Sequence, residues 1–289
     1  MLWLLPALIT ALFVGSQDAW VKRYFSGYNV YEMAAYPMVY SLPFLCLCLF
    51  LVPFPHLDPP FLLSFLVSLP LNGLCFLLYV RAIQVSPLSL TLPYLAFTPV
   101  FMLLTGLLFL GEMPDPWGIC GVLLIVIGSY VLNLDAPATG FLAPFYAIGR
   151  EPGSRIMLFV AFLFSFMAVI AKIAIIHSSP IFFALSFFTV HNFLVPFCLA
   201  LPGKISPGRL LREPGRGLVA GLLLCGHVIF HCLAISMTKA VYMIAVKRFS
   251  ILVGVVYGKL WFREGSFGKR LVGAAMMVAG SALILILGH

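Results

Sequence analysis

Charge is what this sequence lacks most. Only 9% of its 289 residues are Asp, Glu, Lys or Arg, against 63% hydrophobic, whereas soluble domains carry about 25% charged residues. A water-soluble fold is excluded, because a domain of this length has no interior large enough to hide so much apolar surface. Acids are scarcer than bases, 9 Asp+Glu against 17 Lys+Arg. In so apolar a chain that balance reads as membrane orientation, not as nucleic-acid binding. No CxxC pair occurs among the 7 cysteines and no Cys/His spacing suits zinc, so the cysteines read as small buried hydrophobes. Neither a GxGxxG nor a GxxxxGK[ST] loop is present, which excludes a self-contained ATP-driven pump. Paired acids and nucleophile motifs are absent as well, and the chain reads as no enzyme.

What the sequence has instead is long apolar runs. A membrane span needs about 20 such residues, and ten runs qualify, near 2–21, 30–52, 61–80, 87–110, 116–133, 156–176, 180–201, 216–237, 239–261 and 268–287. Their continuous apolarity predicts helices, since barrel strands alternate over about ten residues. The N-terminal run carries Gln17 and Asp18 and meets Lys22 and Arg23, with no basic segment before it. It is therefore expected to stay as the first span and not to be a cleaved signal.

The two halves resemble each other. A shift of 152 residues superposes Ala82 on Ala234, Glu112 on Glu264, Gly121 on Gly273, Gly128 on Gly280 and Ser129 on Ser281; a shift of 150 brings Lys22 to Lys172. Two five-helix repeats are expected, 1–135 and 156–289, joined by a linker at 136–155 rich in Pro and Gly. Five is odd, so the second half enters the membrane from the opposite side. The expected fold is all-α and integral to the membrane, ten transmembrane helices in two inverted repeats, with a site near the midplane between them.

Three stretches give this pattern a family likeness: Tyr79–Ser89 (YVRAIQVSPLS) running toward Pro99, Leu110-Gly111-Glu112 before the glycine-rich fifth span, and Phe262-Arg263-Glu264 before the tenth. The chain resembles the EamA type of the drug/metabolite transporter superfamily over nearly its whole length. The resemblance implies secondary transport of amino acids, metabolites, nucleotide sugars or drugs.

Charges at membrane depth cost roughly 2.5 to 3.5 kcal/mol each on insertion scales, so each needs a partner, a cavity or a function. Lys247 and Arg248 lie near the middle of the ninth span. Lys247 shares a helical face with Ser250, Gly254 and Gly258. The stretch Val246-Lys247-Arg248 is similar to the pair with which phosphate translocators of the same superfamily hold anionic cargo, although the fourth span here offers no basic residue. Asp18 reads as a counter-ion to these cations or as a proton carrier, and an ion pair of Lys247 or Arg248 with Asp18 or Glu32 is the purely structural alternative. Glu32 itself is expected to favour the second helix N-terminus, and Glu112 and Glu264 to cap the next helices or pair with Arg263 and Lys269. Lys22 reads as an interfacial anchor; Lys172 reads equally as an anchor or as part of the site. His191 and the i, i+4 pair His227/His231 have polar-pathway or metal spacing, but no third ligand accompanies them.

The fourth span carries Ser89, Thr91, Tyr94, Thr98 and Thr105 beside Pro93 and Pro99. It is expected to face the ninth across a central cavity, with spans one, two, six and seven contributing. The candidate substrate-binding residues are thus Lys247, Arg248, Tyr94, Thr98, Ser250, Asp18, Lys172 and His191. The expected function is secondary active transport, by alternating access, of a small polar metabolite with an anionic group, amino-acid-like or an organic carboxylate. The alternatives are a lipid or glycolipid flippase of the same fold and an intramembrane His-dependent enzyme. No cofactor or metal is implied beyond coupling to a proton or another ion. The partners implied are the small-molecule substrate and the lipid bilayer, in a plasma membrane such as a bacterial inner membrane; the sequence leaves the oligomeric state open, a monomer among the options. Every Lys and Arg except Lys172, Lys239, Lys247 and Arg248 falls in or beside an odd-numbered loop. The positive-inside rule puts those loops in the cytoplasm and both termini outside.

Overall fold

The computed structural model describes residues 2–85, 92–133, 151–262 and 267–288. All regular elements among them are helical: α1 (Leu4–Phe25), α2 (Val30–Phe50), α3 (Pro59–Val85), a 3-10 helix (Leu92–Phe97), α4 (Thr98–Leu110), α5 (Pro116–Asn133), α6 (Pro152–Ile176), α7 (Pro180–Ala200), a single turn (Pro207–Leu210), α8 (Pro214–Ser236), α9 (Ala240–Lys247), α10 (Ser250–Phe262) and α11 (Phe267–Ile286). Helices α1, α2, α3, α6, α7 and α8 are each long and apolar enough to cross a membrane. This is a multi-pass membrane protein.

Helix starts follow local chemistry. Five of these helices open on proline, whose missing N–H has no partner at a first turn in any case. Side-chain oxygens satisfy neighbouring orphan donors: Asn29 accepts from the Glu32 N–H at 2.8 Å, Asp58 from Phe61 at 3.1 Å, Asp115 from Gly118 at 2.9 Å and Ser179 from Phe182 at 3.1 Å. Three expected boundaries move by four residues or more: α1 continues to Phe25, α3 continues to Val85, and α6 begins at Pro152. Most of the expected linker, with Ser89 and Thr91 of the fourth span and Arg263 and Glu264, lies outside the described residues.

The fourth and ninth spans are each broken. In the fourth, the 3-10 segment hands over to α4 at Thr98; in the ninth, α9 hands over to α10 at Ser250, through i to i+3 bonds from Arg248, Phe249 and Ile251 that tighten the backbone. A shift of 152 residues carries α4, Thr98–Leu110, onto α10, Ser250–Phe262, end for end.

The last helices of the two halves, α5 and α11, pack through glycines that touch reciprocally. A Cβ on Gly121 would meet the Gly280 carbonyl oxygen at 2.6 Å, one on Gly280 would meet the Gly121 oxygen at 2.6 Å, and one on Gly128 would meet the Gly273 oxygen at 2.6 Å. The 152-residue shift that equates Gly121 with Gly273 and Gly128 with Gly280 exchanges these contacts.

In this seam the neighbour is backbone and cannot swing aside. Gly121→Ala is therefore expected to destabilise the detergent-solubilised protein by about 1 to 3 kcal/mol, the usual range for overpacking. At Gly73 of α3 a Cβ meets nothing within 4 Å, so Gly73→Ala should be neutral or slightly stabilising in the same thermal melts.

Candidate functional site

Helices from both halves enclose a cavity of about 230 Å³, lined by Asn72 of α3, Thr98 of α4, Phe164, Met167, Ala168 and Ala171 of α6, Phe183, Phe187 and Phe188 of α7, His231 and Cys232 of α8, and Ile244, Lys247 and Arg248 of α9 and its end. Typical ligand pockets run from about 300 to 1,000 Å³, so the occupant it suits is small. One wall is phenylalanine and methionine; the other carries the two cations.

The break in the ninth span explains how two adjacent positive charges are tolerated there. Lys247 is the last residue of α9 and Arg248 its C-cap. Both therefore sit at the negative end of a helix dipole, beside carbonyls left without helical partners. Lys247 is about 10 Å along the helix from Ala240. Among the described residues neither cation has a carboxylate within ion-pair distance, and the Arg248 Nε is buried with no hydrogen-bond partner. Asp18 interacts with Lys247 through space only. Glu32, the other proposed counter-ion, is committed elsewhere: it is 1% exposed, accepts from the Ser206 N–H at 3.2 Å and pairs with Arg209 at 3.3 Å. Glu32 does stand in the first turn of α2, as expected, while Asn29 supplies the side-chain cap.

Of the candidate residues, Lys247, Arg248 and Thr98 line the cavity. The fourth and ninth spans do meet across it, but the supporting cast differs. No side chain of α1 or α2 is among its lining; α3 and α8 contribute Asn72 and His231 instead. Asn72 is an amide inside an otherwise apolar span, and that alone was a legible signal. His227 and His231 face Lys247 electrostatically, their rings 6.0 Å apart and their Nδ1 atoms buried without partners. No group of three potential metal ligands occurs among the described residues.

Five predicted residues lie outside the lining, Asp18 of α1 among them. Tyr94 is 1% exposed in a cluster with Ala82, Met157 and Val160. The Ser250 carbonyl abuts Gly15 of α1, leaving no room there for a Cβ. His191 stands one turn beyond Phe187, its ring stacked on the cavity-lining phenylalanine at 5.8 Å, with Nδ1 on Asn192 Oδ1 at 3.0 Å and Nε2 unpartnered.

Lys172 belongs to a junction near the α6–α7 turn. Its Nζ pairs with Glu112 Oε1 and donates to the Thr238 carbonyl at 2.5 Å, while Glu112 Oε2 accepts from the Ala240 N–H at 2.8 Å. Glu112 thus caps α9, from the other half of the chain, and not the helix that follows it, which Asp115 serves. Nearby, Lys239 donates to the Met113 carbonyl at 2.9 Å and the Trp3 ring stacks on Tyr242.

At the same end, His177 Nδ1 and Asp58 Oδ2 are 2.6 Å apart. Desolvation pushes the Asp58 carboxyl up, but hydrogen bonds from His177 and the Phe61 N–H, with the His177 charge, hold it below the usual value. A lowered carboxylate value contributes stability above its unfolded value of about 3.9, and the contribution fades as pH falls through the folded one. Melting curves of wild type and Asp58→Asn should therefore separate at pH 6 and converge below about pH 3.9. A difference that persisted in acid would assign the effect to something other than the ionised bridge.

Residues 1–134 match the EamA-like transporter family. Over 136 residues the chain is 32% identical to the Transmembrane protein 234 homolog of Anopheles gambiae, an alignment covering 45% of this chain and 86% of that protein. The chain belongs to the EamA-like transporter family. A protein solved by crystallography superposes with a TM-score of 0.76 over 99% of this chain and 96% of its own, at 15% identity, which is agreement in fold. Membership in the EamA-like family places the chain in the drug/metabolite transporter superfamily.

Proposed function

We propose that this EamA-like protein is a secondary active transporter of a small metabolite carrying an anionic group, amino-acid-like or an organic carboxylate, in a plasma membrane. One observation carries the reading: Lys247 and Arg248 line a small cavity, and among the described residues no carboxylate is paired to either. Buried charge without a partner is costly. An anionic ligand would remove that cost on binding and gain charge-assisted hydrogen bonds from both side chains. Asn72, Thr98 and His231 would take its neutral polar atoms, and the phenylalanines its carbon skeleton.

Alternating access needs two arrangements of the halves around one site. The end-for-end correspondence of α4 and α10 and the reciprocal α5–α11 glycine contacts support two inverted halves, 1–135 and 156–289. Asp18, whose carboxylate shares the field of Lys247, is the group we propose for ion coupling. The test is uptake of labelled carboxylates and of matched neutral and cationic analogues into vesicles reconstituted with the purified protein, with and without a pH gradient. Selective accumulation of anions supports the proposal; accumulation of cations alone overturns it.

A further inference from the structure

A second concavity lies outside the central cavity, in the seam between α3 and α7. It has a volume of about 350 Å³ and is lined by Leu69, Pro70, Gly73 and Leu77 from α3 and by His191, Leu194, Val195, Cys198 and Leu199 from α7. Each set follows one helical stripe. The groove therefore runs parallel to both helices for about eight residues, roughly 12 Å.

The two helices run side by side in the same direction. Asp58 meets His177 before their first turns, Phe61 lies against Phe182, and Phe65 against Phe187. The groove begins where these contacts end. It is widened by Gly73, above which a Cβ would find open space. Its inner end is His191, 4% exposed, with Nε2 unpartnered. Its outer end points away from His177.

The rim at that outer end is basic. Arg81 follows Leu77 by one turn on the same face of α3, is exposed, and has no ion pair among the described residues. Lys204, also exposed, lies five residues past Leu199, its Nζ 5.8 Å from the Tyr31 ring centroid. Exposed Leu74 and Phe193 flank the groove, as expected of surface that meets acyl chains.

We propose that this groove is a binding site for an anionic phospholipid, with one acyl chain lying along Gly73 from Leu199 to His191 and the headgroup phosphate held by Arg81 and Lys204. The geometry selects a chain: the groove is apolar and follows the axes of two helices long and apolar enough to cross a membrane. The rim selects the charge, since basic residues flanking a crevice between transmembrane helices attract anionic headgroups. Because His191 stacks on Phe187, a chain filling the groove also braces one wall of the central cavity.

The experiment uses the full-length protein in nanodiscs, of phosphatidylcholine alone or with phosphatidylglycerol, read by thermal unfolding and by native mass spectrometry of retained lipid. Phosphatidylglycerol should raise the melting temperature of the wild type by a few degrees, as any ligand of the native state does, and should leave with the protein. Gly73→Trp fills the groove and should abolish both effects, while Gly73→Ala keeps them. Arg81→Ala with Lys204→Ala, both on the surface and so harmless to folding, should remove the preference for phosphatidylglycerol over phosphatidylcholine. Inorganic phosphate added to the phosphatidylcholine discs should do nothing. Equal melting temperatures in the two lipids, an undiminished lipid effect in Gly73→Trp, or an undiminished preference in the double Ala variant would each overturn the site. Stabilisation by phosphate alone would reduce it to an anion site without a chain.

Discussion

Lys247→Ala is expected to lower transport of the anionic substrate by one to two orders of magnitude while leaving the protein inserted and folded. A hydrogen bond to a charged group contributes about 1.5 to 3 kcal/mol, and each 1.4 kcal/mol is tenfold in affinity. Folding should not suffer in parallel, because removing a cation from membrane depth removes an insertion cost and leaves no paired carboxylate behind. Arg248→Ala should act in the same direction. Asp18→Asn should act in the opposite one on binding: its carboxylate shares the field of Lys247 and opposes an incoming anion, so neutralising it should tighten the substrate even if coupled accumulation is lost. Lys22→Ala, an exposed change at the far end of α1, serves as the control with near-normal transport. Normal uptake by Lys247→Ala would make the cation structural and end the anion reading.

Much of this site was legible in the sequence, for a physical reason. A charge in a run of apolar residues is conspicuous, and only a few outcomes are open to it at that depth; Lys247 and Arg248 stood out on that ground. Thr98 was legible through its place beside Pro99 in the fourth span. The break at Arg248 was not, since no proline or glycine marks it. It shows only as a tightening of hydrogen bonds that places both cations at a helix C-terminus. Tyr94 misled because composition reports the polarity of a span but not its rotation. The phenylalanine wall was hidden by its surroundings: among 27 phenylalanines, nothing local distinguishes Phe183, Phe187 or Phe188. Contacts between distant segments were the least visible. Glu112 and Lys172 were each noted, through their repeat mates Glu264 and Lys22, yet nothing in one dimension says that residues 60 apart meet each other or that the acid caps a helix 128 residues away.

That junction carries the second large effect. Glu112→Ala is expected to lower stability by about 3 to 5 kcal/mol, the range for removing one partner of a buried ion pair. The Lys172 side chain is 6% exposed, so its charge would be left in the interior with the Thr238 carbonyl as its remaining partner. The Ala240 N–H would lose its acceptor at the start of α9 at the same time. Glu112→Gln should cost less, because the amide oxygen can still accept from Ala240, and the difference between the two variants isolates the cap from the ion pair. Adding Lys172→Met to Glu112→Gln should recover most of the loss, since removing both charges is far cheaper than stranding one. Thermal melts of the wild type, Glu112→Gln, Lys172→Met and the double variant form a double-mutant cycle. A coupling energy near zero would show that Lys172 and Glu112 act independently, and the junction would then not be what fixes the start of α9 and, seven residues on, the position of Lys247.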